Sequence, residues 1–423
     1  MTSAEKLPPP TLDALRRRGR LRTAIAMFGP AFVASVAYVD PGNFATNFAA
    51  GADYGYALVW VIVMANVMAI LVQYLTSKAG LATGRSLPEL CRERFGRRAN
   101  LVLWLQAEVV AMATDLAEFV GAAVGLNLVF GIPLLPAGLI TAVVAFAILA
   151  LEQRGYRRFE LTITALLAFV AAGLLYVFFT VGNQDYRQLA GGLVPHVNGG
   201  GMLSLTVGII GATVMPHVVY LHSALQKNRV RAADLRERRT LLRFNRWDVF
   251  LGLSIAGLVN LSMLCIAAAL FYGSGVDTGE LGTIHANLAT MVGGGAALAF
   301  GIALMASGLS SSSVGTYAGQ VVMAGFMNWR IPLVLRRALT MLPSLVVLGL
   351  AVNTGDALVL SQIVLSFGIP FALVPLLIIT RDRRVMRDMT NRRVTTALML
   401  AVTLVISGLN CYLLVDAITG VCC

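Results

Sequence analysis

Apolar stretches of about twenty residues or more recur along this chain from residue 24 almost to its C-terminus. Each is long enough to cross ~30 Å of hydrocarbon as a helix. About eleven are legible: 24–52, 55–77, 101–128, 132–151, 160–182, 202–226, 248–273, 296–326, 338–352, 357–380 and 395–417. In lipid every backbone polar group must be satisfied within the protein, so runs of this length predict helices. Only 13% of the 423 residues are charged, against about 25% in soluble domains. No soluble domain fits between the runs. The expectation is an all-α polytopic membrane protein, with residues 1–23 a cytoplasmic tail and 24–417 one transmembrane domain.

The net charge of +12 could suggest nucleic acid, but its placement gives another meaning. Of the 33 basic residues, 32 fall in the N-terminal tail and in every second loop, on one side of an eleven-span chain; Arg187 alone falls opposite. By the positive-inside rule that side is the cytoplasm, with the N-terminus inside and the C-terminus outside a bacterial inner membrane. The charge is a topology signal, with room for contact with anionic membrane lipids, and no nucleic-acid partner is expected. The Arg16–Arg22 cluster before an apolar run mimics a signal peptide, but the run continues far beyond a signal's length, so an uncleaved first helix is expected. Cys91, Cys265, Cys411, Cys422 and Cys423 have neither zinc-site nor disulfide-framework spacing.

Two of the spans carry breakers where a helix should be continuous. The first reads Tyr38-Val39-Asp40-Pro41-Gly42-Asn43. Pro41 lacks an N–H and clashes with the preceding turn, so the helix should stop near Val39 and restart after Asn43. Asp40 adds a carboxylate near mid-membrane, where an ionisable group is costly and by default functional. The sixth span repeats the device as Thr213-Val214-Met215-Pro216-His217. Two short helices joined by a loop would be the plain alternative, but neither half alone could span. Interrupted helices in corresponding positions of two halves mark a transporter site at the interface of inverted repeats. The repeats would be spans 1–5 (24–182) and 6–10 (202–380), with span 11 (395–417) an addition.

If Asp40, Asn43 and Met215 converge with unwound carbonyls, the set offers one carboxylate, one amide oxygen and one thioether sulfur. Magnesium and calcium prefer all-oxygen shells, whereas manganese, iron, cobalt and cadmium tolerate a soft ligand. Met215 taken singly would more often be core filling, and His217 an ordinary packed histidine; their place beside a break argues otherwise. In the third span Glu108, Asp115 and Glu118 are seven and three residues apart, on one helix face that must point into the bundle. They could carry protons, or form a structural network with Arg336 and Arg337, or both. His222, five residues after His217, could extend a proton path toward the cytoplasm. None of the three lysines sits in a Walker A motif, so no nucleotide is expected and transport would be secondary. The four histidines lack H-E-x-x-H spacing, which argues against an intramembrane metalloenzyme.

Asp40-Pro41-Gly42-Asn43 and Met215-Pro216-His217, together with Ala113–Glu118 and Leu360-Ser361-Gln362-Ile363, resemble the Nramp family of divalent-metal/proton symporters over nearly the whole chain from residue 24. The resemblance implies a LeuT-type fold and import of Mn²⁺ or Fe²⁺, with Co²⁺ and Cd²⁺ also carried, coupled to proton symport by alternating access. It implies side-chain ligands Asp40, Asn43 and Met215, the carbonyls of Ala37 and Ala212, and Gln362 in some conformations. It implies Asp40, His217, Asp115, Glu118 and Arg337 in the proton route. The metal and the proton would be substrates, and no resident cofactor is implied. A sodium-coupled organic transporter of the same fold would not need a methionine beside Asp40. A passive channel would carry ions without acidifying the lumen.

Overall fold

A computed structural model describes residues 11–17, 19, 27–153, 156–182, 184–227, 229–230, 232, 234–276, 278–329, 332–350 and 353–419. The N-terminal signal-like cluster lies largely outside them, as do Cys422 and Cys423. The spans, numbered in chain order, are α1a (Pro30–Val36), α1b (Pro41–Tyr54), α2 (Val59–Thr83), α3 (Arg97–Phe130), α4 (Leu134–Gln153), α5 (Tyr156–Val181), α6a (Gly199–Thr213), α6b (Pro216–Gln226), α7 (Leu235–Leu270), α8 (Gly294–Met327), α9 (Leu333–Gly349), α10 (Thr354–Arg381) and α11 (Arg393–Thr419). Among the described residues nine helical stretches are long and apolar enough to cross a membrane, the two halves of α6 counting as one. The broken first span and the 17-residue α9 bring the number to the expected eleven.

Burial sorts the helices. The window through α6a and α6b is 94% buried and that of α3 is 78%, against 28% for α4, α5 and α11. The broken helix and α3 therefore form the centre of the bundle, and the other three lie at the lipid boundary. Sequence follows this division: α4, at the rim, exposes Leu135, Leu139 and Val143 outward, while α3 and α8 alternate small residues that let backbones approach. A Cβ on Gly308 of α8 would lie 2.6 Å from that of Ala122 on α3, and one on Gly125 would lie 2.6 Å from the Met305 nitrogen.

The helix ends depart from the apolar runs where polar chemistry takes over. α7 begins at Leu235, thirteen residues before the apolar run, because Arg236 to Arg246 ride a helical extension beyond the hydrocarbon. Asp234 caps it, its carboxylate accepting from the Glu237 amide at 2.7 Å. An unforeseen helix, Leu281–Met291, follows α7 in the chain and packs against α8 and α3, burying Leu281, Ile284 and Leu288. Leu12 and Leu15 of the tail join Met27, Val230 and Leu241 in a small apolar cluster at the basic end.

Candidate metal transport site

Both expected breaks are present. α1a passes through a 3-10 turn, Ala37–Val39, before the chain extends at Asp40 (φ −85°, ψ 169°). The restart comes at Pro41, earlier than the breakers alone suggested, for a local reason. Pro41 occupies the first helical position, where a missing N–H costs nothing, and the Asp40 carboxylate caps the new helix by accepting from the Asn43 amide at 2.9 Å. In the sixth span α6a stops at Thr213, Val214 and Met215 leave the helical conformation, and Pro216 starts α6b.

The two breaks meet. Asn43 Nδ2 donates to Asp40 Oδ1 at 2.6 Å and to the Ala212 carbonyl at 3.1 Å, bridging the first interruption to the end of α6a. α10 closes over both: a Cβ on Gly42 would fall 2.0 Å from Gln362 Nε2, and one on Gly211 would fall 2.0 Å from the Gln362 carbonyl. Only glycine permits that approach from either side. Asp40, Asn43, Met215 and Gln362 are all 0% exposed, so the site is sealed from solvent. Within it Asp40 Oδ2, Asn43 Oδ1, Thr213 Oγ1 and Gln362 Oε1 are buried and have no hydrogen-bond partner among the described residues. Each such orphan costs about 1–3 kcal/mol. Four oxygens gathered around paired helix breaks therefore suit a ligand that supplies positive charge. Thr213 was missed by the sequence reading; a hydroxyl one residue past Ala212 at a helix end was the available signal.

The proton-path candidates divide into two groups. His217 Nδ1 lies 3.2 Å from Thr114 Oγ1 on α3, beside Asp115, so the α6 break and the carboxylate face of α3 are joined by a hydrogen bond. Glu118, one turn further along α3, is fully buried against α8, where a Cβ on Gly315 would lie 2.6 Å from its Oε2. Glu108 accepts from Arg336 Nη2 at 2.8 Å and from Trp104 at 3.1 Å. Arg336 thus reaches this face; the side chain of Arg337 lies outside the described residues. His222 faces α2. Its Nδ1 lies 2.8 Å from Gln73 Oε1, and Gln73 donates to the Tyr38 hydroxyl at 2.6 Å. Asn260 of α7 donates to the Tyr38 carbonyl at 2.9 Å, which completes a second polar chain across α1, α2, α6b and α7.

Access is asymmetric. Toward the face without the basic loops, a cavity of about 410 Å³ is lined by Asp53, Tyr54 and Asp356, and reaches Ala45 and Ile363, neighbours of Asn43 and Gln362. Toward the basic face α1a is fastened. Asp248 accepts from the Gly29 and Ala31 amides at 2.9 and 3.0 Å. Arg229 pairs with Glu160 at 2.9 Å and donates to the Phe28 carbonyl at 3.1 Å. Arg157 binds the same carboxylate at 2.7 Å.

Comparison with known proteins agrees with this geometry. The family model for natural resistance-associated macrophage protein-like (Nramp) sequences matches residues 31–416. The chain belongs to the Nramp family. It is 48% identical over 401 residues to the divalent metal cation transporter MntH of Deinococcus radiodurans, covering 95% of this chain and 92% of the relative. It is 46% identical to that of Bacillus subtilis, covering 96% and 95%. A crystal structure of a manganese transporter mutant from Eremococcus coleocola superposes with a TM-score of 0.85 at 30% identity, over 97% of this chain and 90% of that one. The nucleobase-cation symporter Mhp1, at 14% identity and TM-score 0.61 over 97% and 94%, shares the fold alone. The Nramp chain is accordingly a helical transporter of LeuT-type architecture, and its relatives are named as transporters rather than enzymes.

Proposed function

We propose that this chain imports divalent transition-metal ions, manganese and ferrous iron foremost and cobalt and cadmium as well, together with protons, by alternating access across a bacterial inner membrane, with its basic face in the cytoplasm. The observation that carries the reading is the junction of the two helix breaks through Asn43, with Asp40, Met215 and orphaned oxygens around it. Among the described residues no three His, Cys, Asp or Glu side chains converge, and Asp40 is the single anionic group of the proposed donor set. One carboxylate leaves a bound divalent ion with a formal positive charge. That favours moderate affinity and release, as a carrier needs, over permanent retention. The thioether adds a soft donor that Mn²⁺, Fe²⁺ and Cd²⁺ accept and Mg²⁺ and Ca²⁺ do not use well.

The metal would bind Asp40 Oδ2, Asn43 Oδ1, Met215 Sδ, the carbonyls of Ala37 and Ala212, and Gln362 Oε1 in some conformations. A proton on Asp40 and a cation at Asp40 exclude each other, so metal arrival displaces a proton, and His217 through Thr114 offers a route toward Asp115 and Glu118. Glu108 with Arg336 provides counter-charge on the same face. Loading occurs from the vestibule that holds Asp53 and Asp356; release requires α1a to leave Asp248 and Arg229.

The test is uptake into proteoliposomes containing a metal indicator and a pH indicator, with Mn²⁺, Fe²⁺, Cd²⁺, Mg²⁺ and Ca²⁺ offered in turn. Saturable Mn²⁺, Fe²⁺ and Cd²⁺ entry that acidifies the lumen and rises with an inward proton gradient is expected. Metal entry with no lumen acidification and no dependence on the gradient would mark a passive channel and overturn the symport reading.

A further inference from the structure

At the basic end of the bundle, α2, α7 and α11 enclose two contiguous cavities of opposite character. One, of about 640 Å³, is lined by Lys78, Arg239, Arg243, Arg246 and Arg392, with Asp388 its one carboxylate. The other, also about 640 Å³, runs along the lipid-facing surface and is lined almost wholly by apolar side chains, among them Leu71, Phe250, Leu398 and Val405. Tyr74 and Arg246 belong to both. Each helix changes character at the same level. On α2 the stripe Val67, Leu71, Tyr74, Lys78 passes from apolar to cationic; on α7 Arg239, Arg243 and Arg246 give way to Val249 and Phe250; Arg392, just before α11, and Thr395 on it give way to Leu398, Val402 and Val405. At 1.5 Å per residue, Thr395 to Val405 spans about 15 Å, the depth of one leaflet.

The head of this groove holds uncompensated charge. Lys78 is 6% exposed at its floor, where, among the described residues, its one hydrogen bond is to the neutral amide oxygen of Asn391. Lys78 Nζ lies 5.9 Å and the Arg246 guanidinium 5.6 Å from the Tyr74 ring centroid, so two cations stack on one aromatic ring. Among the described residues none of the five cations forms an ion pair. Exposed Trp247 stands at the junction, the level at which tryptophan marks a membrane interface. A ligand that satisfies this surface carries an anionic, phosphate-sized head joined to chains about one leaflet long.

We propose that the groove between α2, α7 and α11 is a binding site for one anionic glycerophospholipid, its phosphate among Lys78, Arg243, Arg246 and Arg392 and its acyl chains against α7 and α11. A soluble anion would satisfy the head but not the apolar groove; a zwitterionic lipid would satisfy the groove but bring its own cation among five others. The site is separate from the transport site, and binding there is independent of the ion carried.

Native mass spectrometry of the purified protein, titrated with dioleoyl phosphatidylglycerol or dioleoyl phosphatidylcholine, tests this. Wild type is expected to retain phosphatidylglycerol selectively. The triple variant Arg243→Gln, Arg246→Gln, Arg392→Gln should bind it on the order of 100-fold more weakly, with phosphatidylcholine unchanged. Removing the same number of charges elsewhere, as Arg97→Gln, Arg98→Gln, Arg381→Gln, should leave the selectivity intact. Ala401→Trp, which fills the apolar groove and keeps every charge, should weaken retention while the protein stays monodisperse on size exclusion. Equal retention of the two lipids by wild type, equal losses in both triple variants, or displacement by millimolar inorganic phosphate would overturn the proposal. So would a dimer lost in the first triple variant with lipid retention unchanged, since the groove would then seat a second copy.

Discussion

On the proposed reading Met215 is the one soft donor of the site, and its contribution can be isolated. Met215→Ala leaves space for a water oxygen. Manganese, with its preference for hard ligands, is expected to lose little; cadmium draws more from sulfur and should lose more. Calcium and magnesium should now compete. A shift in discrimination of about 1–3 kcal/mol corresponds to roughly 5- to 150-fold in relative affinity, measured as Mn²⁺ and Cd²⁺ uptake with and without millimolar Ca²⁺ or Mg²⁺. A variant that still rejects calcium and loses both metals alike would make Met215 a packing residue. Asp115 gives the complementary test. Asp115→Asn should uncouple lumen acidification from Mn²⁺ entry and leave Mn²⁺ affinity within about threefold, because the hydrogen bond from α6 to α3 runs through Thr114 and His217 rather than through the donor set; threefold is well under 1 kcal/mol. Loss of Mn²⁺ binding in folded Asp115→Asn would contradict that division of labour.

Among the elements, α1a and α10 are where the proposed access route can be tested. α1a has no side-chain cap of its own, and Gly29 at its start has φ 141°. Its first amides are satisfied instead by Asp248 of α7, more than 200 residues away. Asp248→Asn keeps the shape but removes the charge that favours a helix N-terminus. It is expected to raise the reactivity of a cysteine placed at Ala31 toward a membrane-impermeant thiol reagent applied to the basic face, several-fold over the same cysteine in the parent background. Unchanged labelling would mean that the Arg229–Glu160 pair alone holds the helix. Where α1b meets α10, Gly42→Ala puts a methyl into the Gln362 side chain. Mn²⁺ uptake should fall at least about tenfold, with the protein still folded by size exclusion, since overpacking at a core contact costs typically 1–3 kcal/mol. Uptake equal to wild type would show that Gln362 is free to withdraw.

At the scale of the whole molecule, the architecture was largely written in local sequence. Eleven spans follow from apolar length, and both breaks fall where a proline adjoins polar residues, Asp40-Pro41-Gly42-Asn43 and Met215-Pro216-His217, whereas Pro343, Pro370 and Pro375 lie inside continuous helices. Asp40 and Met215 were likewise visible as polar or soft residues beside Pro41 and Pro216. What the sequence did not reveal depends on partners far apart in the chain. Asp248 reads as an ordinary polar residue at the start of an apolar run until Gly29 and Ala31 are seen against it. Arg336 and Arg337 are adjacent and chemically equivalent on paper; helix phase on α9 brings Arg336 to Glu108. His222 stands five residues after His217, but its partner Gln73 on α2 lies 149 residues away in the chain. The claim on which the rest depends is that the junction of the two breaks binds the metal through one carboxylate. Isothermal titration of purified protein with Mn²⁺, for wild type beside Asp40→Asn, tests it most directly, since Asn keeps the volume and one oxygen and removes only the charge. Saturable binding by wild type and none by a folded, monodisperse Asp40→Asn is the expected result; Mn²⁺ binding of equal affinity in the two proteins would contradict the account.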